Sequence, residues 1–175
     1  GSVKSLTSKV VDDRDLTTKE YVDNSHLIKI GEGENSTKHK LAKEASGKNA
    51  IAFGYQVTAS GENALAVNAG TKATGEKSFA AGSNSKATGS ISAAFGYDTE
   101  ASGEESAVFG YQSKATNKFA LATGFQTTAS GERAFTQGSN TKATNMNAVA
   151  MGVGTIASGE HSMTVNENTT ASGKD

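Results

Sequence analysis

The chain has 175 residues, 17 basic and 18 acidic side chains for a formal net charge of −1, and no Cys, Trp or Pro. That length is one ordinary domain's worth of chain. The charge balance argues against nucleic acid as the main partner, and the absent thiols exclude disulfides, cysteine nucleophiles and Cys-ligated metal. Leu, Ile, Val and Phe together number only 28, while Ala, Gly, Ser and Thr make up about half of the chain; such a composition forms a core only if the small residues are strictly placed.

Residues 1–44 carry no repeat. Gly1-Ser2 reads as a cloning remnant, so a piece of a longer protein is expected. The sequence has no signal-peptide pattern and no apolar run near the ~18 residues of a membrane span. Thr17 with Glu20 fits a capping box ahead of Tyr21 and Val22, and predicts a short helix over 18–25. Leu6, Val10, Leu16 and Val22 keep no strict heptad, so no long coiled coil is expected. Residues 31–44 are polar and read as a lead-in loop.

From residue 45 to 175 the chain repeats every fourteen residues. Ala45, Ala59, Ala73, Ala87, Ala101, Ala115, Ala129, Ala143, Ala157 and Ala171 head successive blocks, with no insertion. The consensus is A-[ST]-G-x-x-[AS]-x-A-x-G-x-x-[ST]-x. Positions three and ten of the block hold only Gly or Asn, which predicts φ > 0 and a turn at each. Between the turns, positions six to ten and thirteen to three suit two short strands. Two strands and two turns per fixed period describe one coil of a β-solenoid. Recurrent Gly and β-branched residues exclude a helical repeat. Nine coils at about 4.8 Å predict a rod of roughly 43 Å.

Alternation along the strands assigns faces. Positions six, eight, thirteen and one are Ala, Ser, Thr or Val and point inward, into a roll too thin for large side chains. Positions fourteen and two are mostly Lys, Thr, Glu and Ser, a wet face. Positions seven and nine hold the large apolar residues: Ile51 and Phe53, Leu65 and Val67, Phe79, Phe95, Phe109, Leu121, Phe135, Val149 and Met151, Met163 and Val165. Where one of the two is Phe, the other is often small. An outward apolar face along the whole solenoid is an aggregation liability on a monomer. Burial against copies of the same chain around an axis, as an obligate oligomer, solves it.

These residues resemble the head domains of trimeric autotransporter adhesins, the YadA-like head, with its repeated N-S-x-A-x-G-x-x-[ST] units. Here the units read Asn49-Ala50-Ile51-Ala52-Phe53-Gly54-Tyr55-Gln56-Val57, Glu105-Ser106-Ala107-Val108-Phe109-Gly110-Tyr111-Gln112-Ser113 and Asn147-Ala148-Val149-Ala150-Met151-Gly152-Val153-Gly154-Thr155. The resemblance spans residues 45–175. It implies an all-β fold, a left-handed parallel β-roll, assembled as a homotrimer on the surface of a Gram-negative bacterium. It also implies attachment to host cells or extracellular matrix, of the collagen or fibronectin type, or to a host cell-adhesion receptor. Asp15 to Asp23 resembles segments of trimeric fibre proteins, which keeps a phage-type fibre segment as an alternative beside a purely structural spacer.

No catalytic constellation is legible. His26, His39 and His161 are scattered, and only His161 lies inside the repeats. Glu62, Glu76, Glu104, Glu132 and Glu160 share position four, but one carboxylate per coil is too few for a calcium solenoid. Gly31-Glu32-Gly33 lacks the Gly-Lys-Ser/Thr of a phosphate loop. Threonine columns of the ice-binding kind are interrupted by Lys and by Glu100. No enzyme, metal, cofactor, nucleic-acid or direct membrane role is therefore expected. One feature exceeds the scaffold: position eleven is Tyr55, Tyr97, Tyr111 and Phe125 in four coils, beside Gln56, Asp98, Gln112 and Gln126. The last three aromatics are consecutive and should stack. Aromatics beside adaptable polar groups suit a receptor contact; the alternative is that they cover the edge of the subunit interface.

Overall fold

The computed structural model describes residues 28–30, 37–39 and 42–173, with side chains described from 42 onward. The helix expected over 18–25 lies outside these residues. From Glu44 the chain winds as a parallel β-solenoid with fourteen residues per coil. Each coil gives one strand to each of two sheets, and like positions pair in register, for example Phe95 with Phe109 and Ala101 with Ala115.

The longer strands run from position seven to eleven, as in Phe79–Ser83, Ala93–Tyr97, Ala107–Tyr111 and Leu121–Phe125. The second strand shrinks to positions fourteen and one, as in Lys86–Ala87 and Lys142–Ala143. Both are offset from the spans expected from sequence, because the turns lie elsewhere. Position ten has positive φ as expected, 114–148° at the glycines and 79° and 80° at Asn68 and Asn166. Position three does not. Its glycine is required by contact instead: a Cβ on Gly89 would lie 2.0 Å from the carbonyl oxygen of Gly103 in the next coil.

The left-handed residues are at positions five and twelve, with φ of 53–59° and 52–68°. Their role is visible in the hydrogen bonds. Strand amides donate to the following coil, as Leu65 N does to Ser78 O at 2.9 Å. The amides of positions five and twelve point back to the preceding coil, Lys77 N to Glu62 O at 2.7 Å and Asp98 N to Ser83 O at 2.8 Å. Reversing one peptide at each corner lets the turn join the ladder, so its backbone groups are not orphaned. The position-three carbonyl also accepts from position six, through the amide of Ala50 and through the hydroxyls of Ser78, Ser92, Ser106 and Ser162.

The interior follows the expected faces. The alanines at positions one and eight, Ala45 through Ala157 and Ala52 through Ala150, are buried, with Val57 and Val108 among the largest enclosed side chains. Lys77, Lys86, Lys114 and Lys142 are exposed at the corners and on the short-strand sheet. One element was not expected. Strand β1 (Ile28–Ile30) pairs antiparallel with β2 (Thr37–His39), and β2 then pairs in parallel with the first long strand, Ile51–Phe53. This pair forms the N-terminal edge of the long-strand sheet, with β1 as its outermost strand.

Candidate interaction surface

The surface that stands out is the outer face of the long-strand sheet. Because neighbouring residues alternate sides, positions seven, nine and eleven all point outward. Every candidate interface residue is on this face. Ile51, Phe53, Phe109, Met163 and Val165 are exposed, while Leu65, Val67, Phe79, Phe95, Leu121, Phe135, Val149 and Met151 are half-buried by their neighbours. Over nine coils positions seven and nine carry no charged side chain. In-register pairing turns single residues into columns. The Phe95 and Phe109 rings stack at 5.0 Å between centroids, 5° apart in plane, and Phe79 meets Phe95 edge-on at 4.6 Å. Offset and edge-on arrangements are the favourable geometries for aromatic pairs.

The position-eleven aromatics line the trailing rim of the same face. Tyr97 stacks on Tyr111 at 4.9 Å and Tyr111 on Phe125 at 5.2 Å, with planes 11° and 9° apart. The rings cover one another, so the column offers mainly ring edges and the two phenol groups. At its ends the same position is Ser83 and Ser139. Beside it, Gln126 Nε2 donates to Gln112 Oε1 at 3.0 Å. Tyr55 stands apart, with Ala69 next in its column, and is 60% exposed.

The opposite rim was not singled out from the sequence. Here position five carries Ile91 and Phe119, 53% and 38% exposed. Lys118 Nζ and the Arg133 guanidinium lie 5.0 and 5.5 Å from the Phe119 ring centre. The carboxylates of position four are engaged at the surface rather than gathered: Glu76 with Lys77, Glu104 with Lys118 at 3.0 Å and Glu132 with Arg133 at 2.8 Å. The paired Glu76 carboxylate, first through its hydrogen bond and then through its charge, raises the pKa of the exposed Lys77.

Among the described residues no three His, Asp or Glu side chains converge as a metal site requires. No helix among them is long and apolar enough to cross a membrane. An open cleft of about 300 Å³ lies at the corner formed by Asn145, Met146, Ser158, Gly159, Glu160 and Ser172. It holds one carboxylate, and Asn145 Nδ2 donates across it to the Ser158 carbonyl. That is a ladder contact, not an acid–base pair.

Comparison with protein families gives one informative match. A family model for two copies of the YadA head domain repeat matches residues 45–67, 73–99, 101–127, 129–155 and 143–163. A search of curated proteins gave no match. The matched segments cover more than half of the chain and stay in the fourteen-residue register throughout.

Proposed function

The chain belongs to the YadA head family, and from that premise we propose that it is the non-enzymatic head of a trimeric adhesin on a bacterial outer surface. The observation that carries this reading is the long, uncharged face of positions seven and nine. Its size and regularity suit burial against two further copies. From position five to position eleven the face is on the order of 20 Å wide at 3.3 Å per residue. Three such faces closed around an axis would place each sheet about 6 Å from it, close to half the ~10 Å spacing of packed sheets. Four faces would hold opposite sheets about 20 Å apart, more than their side chains fill. Three copies therefore close the face without a hollow.

The outer surfaces that the trimer leaves open repeat every coil and three times around the axis. Weak contacts to a host cell-surface or matrix protein would add through avidity. Among the rim aromatics proposed as receptor contacts, Tyr55 is the most open, and Tyr97, Tyr111 and Phe125 lie where a neighbouring subunit also reaches. A structural spacer within a longer fibre is the second reading; the uniformity of the described coils favours it.

Light scattering tests the assembly. A mass of roughly 54 kDa, three times the 17.9 kDa chain, is expected. A well-behaved monomer would refute the trimer. Binding of the trimer to immobilised collagen, fibronectin and host-cell membranes then separates adhesin from spacer, since a spacer would bind none of them.

A further inference from the structure

We propose that the two rims of the apolar face dock on each other between chains, with Tyr97, Tyr111 and Phe125 of one chain packing against Ile91, Glu105 and Phe119 of a second copy. This rests on the three-fold assembly proposed above and adds which edges meet and in what register.

The first observation is an anomaly at position five. The turn there requires φ near 55°, and Asn49, Asn63 and Asn147 are residues that accept it readily. Ile91 adopts the same conformation at φ 55° and Phe119 at 59°. A β-branched side chain in the left-handed region is strained. Both side chains also stand out into solvent. The left-handed corner serves the ladder of the single chain in every coil, as the Ile91 and Phe119 amides show, but an exposed Ile or Phe side chain at that corner does not, and a partner that covers these residues gives it a use.

The second observation is their level along the rod. Ile91 and Tyr97 share the coil 87–100, Glu105 and Tyr111 the coil 101–114, and Phe119 and Phe125 the coil 115–128. The consecutive coils with an aromatic on the trailing rim are the ones with Ile, Glu and Phe on the leading rim. Flanking coils pair a polar residue with a small one, Lys77 with Ser83 and Arg133 with Ser139.

Symmetry makes that coincidence meaningful. Cyclic assembly is a rotation without a shift along the axis, so the leading rim of one chain meets the trailing rim of the next at the same level. Each level is then chemically matched. Ile91 covers a Tyr97 ring, the Glu105 carboxylate accepts from the Tyr111 hydroxyl, and Phe119 meets Phe125. Within one chain these pairs cannot meet, because six strand residues separate them by about 20 Å.

The chain has no cysteine, so the register can be read by cross-linking the full chain. We would make Ile91→Cys with Tyr97→Cys, Glu105→Cys with Tyr111→Cys, and Phe119→Cys with Phe125→Cys. Each would be treated with a short bismaleimide, with light scattering and circular dichroism on the same samples. Phe95→Cys is the positive control, facing the axis. Ile91→Cys with Ser139→Cys, three coils out of register, is the negative control. Expected are covalent dimers and trimers on a denaturing gel for the three matched pairs and none for the mismatched one. A trimeric mass with cross-linking at Phe95→Cys and none at the matched pairs would overturn the rim contact and leave the trimer standing. A monomeric or dimeric wild-type mass would overturn both. A matched double variant that keeps its β-sheet spectrum but loses the trimer that wild type retains would support the rim contact, since only surface side chains have changed.

Discussion

The roll's interior makes a prediction whose sign reverses from one coil to another. Four buried hydroxyls, on Thr127, Thr136, Thr141 and Thr155, have no hydrogen-bond partner within the protein. Three of them occupy position thirteen, where the first coil has the fully buried Val57. The fourth occupies position eight, where the coil 101–114 has the equally buried Val108. The roll therefore already accepts valine at both places, and Thr→Val exchanges a hydroxyl for a methyl in a shape it holds elsewhere. An unpaired buried hydroxyl costs about 1–3 kcal/mol. Each single replacement should stabilise by about 1 kcal/mol, which for a chain of this size raises the melting midpoint by roughly 2–4 °C.

Thr99 is the internal contrast. It sits at the same position, but its hydroxyl donates to Ser85 Oγ at 2.8 Å, and Ser85 in turn donates to the Gly96 carbonyl at 2.9 Å. Thr99→Val breaks that chain and should destabilise by about 0.5–1.5 kcal/mol. Thermal and guanidinium unfolding at one fixed protein concentration measures both. Thr127 and Thr141 lie about one coil spacing apart, so their double variant need not be additive. If Thr141→Val and Thr99→Val shift the midpoint in the same direction, the distinction between orphaned and satisfied hydroxyls is wrong.

Other expectations follow from the same coil geometry. Gly96→Ala would place a Cβ 1.8 Å from the Gly110 oxygen at φ 128°; a loss of at least about 3 kcal/mol in chemical unfolding is expected. Phe109→Asp puts a charge at the centre of the uncharged face, and light scattering should show loss of the trimer, with the melting midpoint lowered as well. Lys114→Ala removes an exposed ion pair to Glu100, 3.1 Å long, and should change stability by less than about 1 kcal/mol. Because the single chain's interior is built mostly of Ala, Ser and Thr, dilution should lower the melting midpoint as assembly is lost; a midpoint constant over a hundredfold range would show that the chain is stable without partners.

The period, the two sheets and the inward positions were legible because each is written nine times. The turns were legible only in part, because glycine has two causes that composition does not separate. At position ten it answers to φ and to the approach of the next coil together, while at position three, Gly89 for example, it answers to that approach alone. Position twelve did carry the signal: it is Gln, Gly, Asn or Asp in every coil, largely residues that tolerate left-handed backbone. Position five hid the same conformation behind Lys77, Ile91, Phe119, Arg133 and His161, because packing and the ladder override local preference there. The hairpin of β1 and β2 escaped for another reason. It is built once, outside the repeat, and its strands are three residues long.

The division of labour on the surface follows from the thin roll. A coil of fourteen residues encloses room for Ala, Ser, Thr and an occasional Val, so nearly every large side chain must stand outside. Sheet alternation sends the Phe, Leu, Ile and Met side chains of positions seven and nine to one face, and leaves Lys, Ser and Thr on the other. In the trimer proposed above, copies of the first face cover one another and supply the apolar burial that the interior lacks. What remains for a binding partner is the outer surface, the same motif at each coil and on each copy. A partner with its own repeat could engage several coils at once. Binding that strengthens with the number of coils, at constant trimer mass, is therefore the behaviour this architecture favours.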